Sequence, residues 1–528
     1  MGKRLDRFDY YFLIAVPCLF AGVLQIVGKL ISKWISAQVP DYAASSIGFF
    51  KVLLLGVFSL ATYKYVLAYL YRKATNRSYY KDRTTFRRPY SSIKHFFETA
   101  DPYRMDVDTL PVERWQDAEG VILGKIGGRL IKRPSSGVGN LATFALPGGG
   151  KTTSQIIPSA MRFGGAVLAV DIKGDILNFA QKHGKRIMQV FDPENPEHSA
   201  HYNPFEGMDK LTELERKTAI EQIALVLMPD TGENDGKYFL DGGRDYFCGV
   251  ALYMLFNDIE TTLPKVAKAI VEGNAFDWAK TVVGGPCNLA KSYLASYIGS
   301  NEKNVAGAYG VAAKAVRPFA YGALSVLLEP DQYLISPASL EKGFDVYIEI
   351  PQDKIKLYAP VTTIIVQQFL VAFMRRKDIA TGEKLRPILF LLDEFSQLQF
   401  DYDTLMAALS TLRSKQVSLF LVFQSIAQAT QRYGDAGFRA IMDTCAYISV
   451  MGAQDPDSRD YFSRLCGTHN YYKVTTSYDS NKQKTRSISE EQEPVFQPTD
   501  FGNLRDDVVI VANGKYIRAQ KTYCFLAK

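Results

Sequence analysis

The fold of this chain is indicated most strongly by the stretch Ala145-Leu146-Pro147-Gly148-Gly149-Gly150-Lys151-Thr152-Thr153. Three consecutive glycines allow backbone N–H groups to turn inward around phosphate oxygens. Lys151 can then reach the β- and γ-phosphates, and the Thr152 hydroxyl is placed to ligate Mg²⁺. A glycine-rich turn with a chance lysine is the alternative, but Gly-Lys-Thr at the start of a helix is uncommon. The stretch predicts a site for ATP or GTP with Mg²⁺.

The residues around this loop fit the same interpretation. Residues 141–144 are typical of a short strand entering the loop, and residues 153–158 of a helical turn leaving it. A phosphate-binding loop requires this arrangement, because the helix N-terminus has unpaired N–H groups and a favourable dipole. Ala145 replaces the usual leading glycine, and its methyl group is small enough for the turn. Pro158 falls early in the helix and requires a bend or a place in its first turns.

Length, charge and cysteine content limit the function classes. A chain of 528 residues is too long for one ordinary core, so we expect two or more domains. The net charge of +7, from 62 Lys and Arg against 55 Asp and Glu, is too mild to indicate nucleic-acid binding by itself. Six cysteines without paired spacing, and five histidines that do not cluster with them, argue against structural zinc or disulfides. The bulk of the chain therefore fits a reducing, cytosolic environment.

The N-terminus is predicted to be a membrane hairpin. Residues 10–28 contain no charged side chain and are long enough to cross a bilayer, and residues 45–66 form a second apolar tract. Lys51 and Lys64 in or beside that tract can extend to the interface. Basic residues precede the first tract and follow the second, so both chain termini should be cytoplasmic. A cleaved signal peptide and, for the second tract alone, an amphipathic core helix are the competing interpretations.

Several apolar runs beyond residue 110 predict buried parallel strands, each followed by polar residues. Residues 166–170 precede Asp171, residues 388–392 precede Asp393 and Glu394, and residues 417–423 precede Gln424. In open α/β sheets the ligand lies beyond the carboxyl ends of the strands, so these residues should converge on one nucleotide. The predicted nucleotide contacts are Ala145, Pro147, Gly148, Gly149, Gly150, Lys151, Thr152, Thr153 and Asp171.

The polar residues are assigned separate roles. Asp393, with Thr152, would hold Mg²⁺, while Glu394 would orient and deprotonate the attacking water. Two acids after a strand are also common at an ordinary helix N-cap. Gln424 could hydrogen-bond the γ-phosphate or the water. Arg413 could supply positive charge to a neighbouring subunit in a ring, although a surface arginine is usually only solvated.

Together these features resemble the type IV secretion coupling proteins, the TraG/TraD-like membrane ATPases of conjugation and effector export. The likeness covers nearly the whole chain and depends on the order and spacing of its motifs. Besides the hairpin and the phosphate loop, these are Asp171-Ile172-Lys173-Gly174-Asp175, Asn203-Pro204, Ile350-Pro351, Leu392-Asp393-Glu394-Phe395, Arg413, Gln424-Ser425, Gln428, Tyr433-Gly434 and Tyr461-Phe462-Ser463 before Gly467.

The resemblance implies an α/β, RecA-like P-loop NTPase domain with an inserted all-α domain, preceded by the two-helix transmembrane hairpin. The implied division is 1–75 for the hairpin, 76–207 and 344–528 for the two parts of the nucleotide-binding domain, and 208–343 for the helical domain. It also implies a homohexamer in the bacterial inner membrane that contacts secretion channel components. Two residues depart from the family pattern: Ala145 replaces the leading glycine, and Asp175 stands where many relatives carry glutamate. Relatives often have an acidic C-terminal tail, which we do not find before Lys528.

Three functions are compatible with the sequence. The leading hypothesis is an ATP-driven coupling protein that pumps relaxase-bound DNA, without reading its sequence, to a type IV secretion channel. The second keeps the ATPase but restricts the cargo to protein effectors. The third is a membrane scaffold that binds nucleotide with little turnover. Residues 466–500 are typical of an exposed loop or hairpin and have no assigned function.

Overall fold

The computed structural model describes residues 112–113, 119–127, 129–137, 139–230, 236–378, 384–478 and 484–524. The predicted hairpin, within residues 1–75, lies outside the described residues and stays a prediction. The chain divides into two compact units, and the larger holds residues 111–462, 498–513 and 518–528. The smaller unit includes residues 463–497 and 514–517.

The described strands fall into one large sheet and one separate pair. In chain order they are β1 (Val112–Glu113), β2 (Val121–Ile126), β3 (Arg129–Arg133), β4 (Asn140–Phe144), β5 (Ala166–Asp171), β6 (Met188–Phe191), β7 (Asp345–Glu349), β8 (Ile388–Leu392), β9 (Val417–Phe423), β10 (Cys445–Val450), β11 (Thr468–Tyr478), β12 (Lys484–Pro494), β13 (Asp507–Ala512) and β14 (Lys515–Gln520).

Seven strands of the large sheet are parallel and lie in the order β10-β4-β9-β8-β5-β7-β6. β13 pairs with β10 in the antiparallel direction, and β2 pairs with β3 in the same way. The central strands β4, β5, β8 and β9 are buried along their whole length. Strands covered on both faces are apolar throughout, which is why the apolar runs in the sequence located them. The strands predicted at 141–144, 166–170, 388–392 and 417–423 are thereby confirmed.

The described α-helices flank this sheet or follow β6. In chain order they are α1 (Ile157–Arg162), α2 (Asp175–His183), α3 (Glu213–Leu227), α4 (Lys237–Asn257), α5 (Leu263–Glu272), α6 (Ala275–Gly284), α7 (Asn288–Leu294), α8 (Glu302–Ala320), α9 (Ala323–Leu327), α10 (Pro337–Lys342), α11 (Ile355–Met374), α12 (Tyr402–Thr411), α13 (Ile426–Asp443) and α14 (Pro456–Leu465).

Eight of these helices, α3 to α10, lie between β6 and β7 with no named strand among the described residues. α3 begins with a capping box, in which the Thr212 hydroxyl accepts from the Glu215 N–H and the Glu215 carboxylate accepts from the Thr212 N–H. α8 packs against α4 and α5 along its apolar face. The observed helices support the predicted all-α insertion, whose boundaries at 208 and 343 stay a prediction.

One described helical stretch, Gln352–Met374, is long and apolar enough to cross a membrane, with a mean hydropathy of 1.6. Of the 18-residue window that reaches this hydropathy, 67% is buried inside the protein. α11 occupies most of this stretch and packs against α3 and α12. Burial of this kind is typical of a core helix, so the stretch adds no evidence for a membrane span.

In the smaller unit, β11 and β12 form an antiparallel pair whose register runs from Thr468 opposite Pro494 to Tyr478 opposite Lys484. The hairpin predicted within residues 466–500 is confirmed. Residues 468–478 and 484–494 are organised into strands by backbone hydrogen bonds and do not form the exposed loop that was the other predicted possibility.

Candidate nucleotide-hydrolysis site

The candidate site lies at the carboxyl edge of the parallel sheet. Four adjacent strands, in the order β4-β9-β8-β5, end at this edge. β4 leads into the phosphate loop, β9 into Gln424, β8 into Asp393, and β5 ends at Asp171. The ring of Phe144, at the end of β4, stacks on that of Phe423, at the end of β9, with centroids 4.9 Å apart. The strand order therefore brings together segments that are more than 240 residues apart, as from Lys151 to Glu394.

Hydrogen bonds and left-handed glycines shape the phosphate loop. The Ala145 N–H donates to the Phe423 carbonyl at 3.1 Å, and the Gly149 N–H donates to the Leu146 carbonyl at 2.8 Å. Gly148 and Gly150 have φ values of +73° and +82°, which side chains on L-residues disfavour. Ala145 is not among the described non-glycine residues with positive φ. The missing leading glycine is therefore compatible with the loop.

A π-helical turn before the α-helix allows Pro158 to lie in the first turn of that helix. Residues Thr152–Ile156 form this turn, and the Ile157 N–H donates to the Thr152 carbonyl, five residues back. α1 then begins with Pro158 in its first turn, where the missing N–H costs little. Single π-turns are frequent at functional sites, and this one lies directly behind the residues that would meet the phosphates.

Gln155, within the π-turn, anchors the loop to the sheet through a buried polar network. Its carbonyl oxygen accepts from the Thr143 hydroxyl at 2.7 Å. Its amide donates to the Leu123 carbonyl at 2.6 Å and to the Ser449 hydroxyl at 3.1 Å. Gln155 is completely buried. Sequence reasoning missed this residue, because its three partners come from β4, β2 and β10 and no local pattern connects them.

Lys151 forms ion pairs with Asp393, the predicted Mg²⁺ ligand, and with Glu394, the predicted general base. Its Nζ lies 2.6 Å from Glu394 Oε1 and 3.1 Å from Asp393 Oδ1, and all three side chains are buried. Burial alone would lower the pKa of Lys151, but the charges of Asp393 and Glu394 and their hydrogen bonds raise it above its usual value. Burial, together with the charge of Glu394, raises the pKa of Asp393 against the lowering effect of Lys151.

Glu394 is held between Lys151 and Gln424. Gln424 Nε2 donates to Glu394 Oε2 at 2.7 Å, while Oε1 accepts from Lys151. The Glu394 backbone has φ of +50°, and its N–H donates to Asp393 Oδ1 at 3.0 Å. A left-handed glutamate is a strained conformation that the surrounding structure must hold in place. The structure thus brings together Lys151, Asp393, Glu394 and Gln424, as the sequence predicted.

Asp171 reaches the same edge but its carboxylate is engaged by the backbone. Oδ2 accepts from the Ile176 and Leu177 N–H groups at 2.9 and 2.8 Å, and Oδ1 from the Lys173 N–H at 3.3 Å. Burial raises the pKa of Asp171 to about 6, against the effect of these hydrogen bonds. The observed contacts organise the start of α2. A direct contact of Asp171 with nucleotide stays a prediction.

Arg413 lies away from the other site residues of its own chain. It belongs to the 3₁₀ turn Leu412–Lys415, which precedes β9, whereas Gln424 follows the same strand. The two ends of a seven-residue strand are about 20 Å apart. Arg413 is exposed. Its predicted role in a neighbouring subunit stays a prediction.

The donor set fits a nucleotide with Mg²⁺. Gly148 faces open space, since a methyl group at this residue would have no heavy atom within 4 Å. In the described residues no group of three or more His, Cys, Asp or Glu side chains could hold a metal ion alone. Mg²⁺ usually takes one or two carboxylates together with substrate phosphates, so Asp393 and the Thr152 hydroxyl are sufficient protein ligands. Two buried carboxylates against one ammonium also favour an added cation.

Substituting Gly150 by alanine should weaken ATP binding about tenfold, because it strains the left-handed backbone of the loop. A methyl group at Gly150 would also lie 3.2 Å from Tyr523 Cε1. Equilibrium binding of a fluorescent ATP analogue measures the effect. Gly207→Ala is the matched control, because Gly207 has a similar φ of +76° and open space around it. Equal losses in both variants would contradict the expectation.

The chain is similar in sequence to a known protein family and to individual characterised proteins. The family model for type IV secretory system conjugative DNA transfer matches residues 114–528. This chain belongs to that family. The chain is 27% identical over 444 residues to a probable conjugal transfer protein TraG of Sinorhizobium fredii, covering 78% of this chain and 66% of TraG. It is 22% identical over 378 residues to protein VirD4 of Agrobacterium fabrum, covering 69% of this chain and 55% of VirD4.

The chain thus spans between about half and two thirds of the length of these relatives. Among solved structures it resembles the unbound bacterial conjugative coupling protein TrwBdeltaN70, with a TM-score of 0.61 at 16% identity over 77% of this chain and 90% of that one. TrwB in complex with ADP and Mg²⁺ gives a TM-score of 0.59 at 16% identity, with the same coverage. The likeness confirms the predicted α/β phosphate-loop fold with its large parallel sheet.

Proposed function

We propose that this coupling protein is an ATPase that drives DNA, bound to a relaxase, or protein effectors toward a type IV secretion channel. The single observation that carries the proposal is the buried contact of Lys151 with Glu394, at 2.6 Å. It joins a phosphate-loop lysine to a candidate general base from a strand end far along the chain. Against the effect of burial, the neighbouring carboxylates raise the pKa of Lys151, while burial raises the pKa of Asp393, and such shifts are typical of functional sites.

Each residue of the site receives one role in this proposal. The phosphate loop and Lys151 hold the triphosphate, and Thr152 and Asp393 hold Mg²⁺, which offsets phosphate charge when bound. Glu394 orients the attacking water and accepts its proton. Gln424 fixes the Glu394 carboxylate through Oε2. TrwB has been crystallised with an ATP analogue and with ADP and Mg²⁺, which supports the same ligands for this chain.

The partners of the coupling protein are part of the proposal. The apolar tracts at 10–28 and 45–66 would anchor it as a multi-pass protein of the bacterial inner membrane, with both termini in the cytoplasm. Homohexamer formation would allow Arg413, exposed beyond the amino end of β9, to act on the nucleotide of a neighbouring subunit. The family description, conjugative DNA transfer, supports DNA as cargo.

DNA-stimulated ATP hydrolysis tests this proposal. The full chain in detergent should hydrolyse ATP faster when DNA of unrelated sequences is added, and the stimulation should fall with rising salt because phosphate contacts release counterions. Hydrolysis without any effect of DNA would favour the effector-only alternative. Nucleotide binding with negligible hydrolysis under both conditions would favour the scaffold.

Gln424→Ala should lower kcat for ATP hydrolysis about tenfold, because Glu394 loses a hydrogen-bond donor to its charged carboxylate. The ATP affinity should stay within about threefold of the parent, since Gln424 does not hold the loop. Steady-state kinetics with independent binding measurements separate the two quantities. Gln454→Ala, which changes an exposed glutamine soon after β10, is the control and should leave kcat unchanged. An unchanged kcat in Gln424→Ala would remove Gln424 from the site.

A further inference from the structure

The last described residues of the chain, 521–524, return to the phosphate loop after β14. The Lys521 N–H donates to the Asp506 carbonyl at 2.8 Å. The buried Lys521 ammonium group donates to the Arg505 carbonyl. Main-chain and side-chain bonds therefore fix this segment against the residues that precede β13.

Tyr523 in this segment places its ring beside Gly150. A methyl group at Gly150 would lie 3.2 Å from Tyr523 Cε1 and 3.6 Å from its Oη. The Oη donates to Asp506 Oδ1 at 3.1 Å, which fixes the ring in place. Tyr523 is half-buried, so part of its surface is accessible beside the loop. Of the loop glycines 148–150, Gly150 is the one whose near neighbour is an aromatic ring.

The chemistry of this ring suits a base better than a phosphate. Its hydroxyl proton is directed to Asp506, and a carboxylate at that position disfavours an anion. The ring itself offers an apolar π-surface, on which nucleobases stack. A nucleotide whose phosphates occupy the loop carries its base on the adjoining ribose, within reach of the loop's neighbours.

We infer that Tyr523 contacts the base of the nucleotide bound at the phosphate loop and contributes a stacking surface to the site. This inference rests on the proposed nucleotide binding and extends it to the nucleoside part of the ligand. The aromatic ring, and not the hydroxyl, supplies the contact. The ring should therefore contribute to the affinity for ATP but not for inorganic tripolyphosphate, which lacks a base.

Equilibrium binding of ATP and of tripolyphosphate by the full chain in detergent tests the inference, with three variants. Tyr523→Ala should weaken ATP binding about tenfold and change tripolyphosphate binding less than about twofold, as expected for one lost stacking contact. Tyr523→Phe keeps the ring and should bind both ligands within about threefold of the parent. Tyr333→Ala, which removes an exposed tyrosine in the helical region, should change neither affinity.

The outcomes separate this inference from the proposed function. If Tyr523→Ala weakens ATP and tripolyphosphate equally, Tyr523 only supports the loop and the inference is overturned. If Tyr523→Ala changes neither affinity, the inference is overturned while nucleotide binding stands. If the parent chain binds neither ligand, the proposed function fails first.

Discussion

Lys151→Ala is expected to weaken ATP binding by about a hundredfold or more and to abolish measurable hydrolysis. The substitution removes the ammonium group that pairs with both buried acids at the phosphate loop. It leaves two buried carboxylates without their partner, a change that typically costs about 3–5 kcal/mol. Those carboxylates would also repel the incoming triphosphate. Equilibrium binding and thermal unfolding of the full chain in detergent measure the two consequences.

Lys415→Ala is the matched control for this substitution. Lys415 is also a buried lysine in an ion pair, with its Nζ 3.1 Å from Asp378 Oδ1, but it lies at the amino end of β9. Its loss should lower thermal stability while leaving ATP affinity within about twofold. If the two variants lost ATP affinity equally, the effect of Lys151 would reflect general destabilisation and not phosphate binding.

Glu394→Gln should lower the rate of ATP hydrolysis about a thousandfold while leaving ATP binding within a few-fold of the parent. A carboxamide keeps an oxygen that can accept from Lys151 but cannot take a proton from water at neutral pH. Single-turnover hydrolysis with saturating ATP isolates this chemical step from binding and release. If the proposed function is correct, DNA transfer by cells that carry the variant should fall to the background of cells without the protein.

Glu349→Gln tests whether any acid at this sheet edge has the same effect. Glu349 ends β7, two strands from β8, and is half-buried. Glu349 makes no contact with Lys151 among the described ion pairs. The rate of ATP hydrolysis by the Glu349→Gln variant should therefore stay within about threefold of the parent. Normal transfer by Glu394→Gln would contradict the motor and favour the nucleotide-binding scaffold.

The parts of the site that follow from local chemistry were predictable from the sequence. Strands such as Ile388–Leu392 are covered on both faces, so their apolar runs and their ends were visible directly. Because parallel strands end at one edge, Asp393, Glu394 and Gln424 could be placed near Lys151 before any distance was known. The observed ion pair and hydrogen bond place all four at one site.

Other parts depend on contacts between distant residues, and the sequence contained no signal for them. Gln155 is an ordinary helical residue until β2, β4 and β10 surround it. Tyr523 lies about 370 residues after Gly150, and tertiary structure brings the two residues together. The left-handed backbone of Glu394 is likewise imposed by tertiary structure, since local preference disfavours it.

The most direct test of whether one site binds and cleaves the nucleotide is a structure of the Glu394→Gln variant. The full chain would be trapped with ATP and Mg²⁺. The triphosphate should lie on the loop of residues 148–152, with Lys151 Nζ drawn to its terminal phosphates and Mg²⁺ beside Asp393. A triphosphate bound elsewhere, with Lys151 still held by residues 393 and 394, would contradict the proposed hydrolysis site.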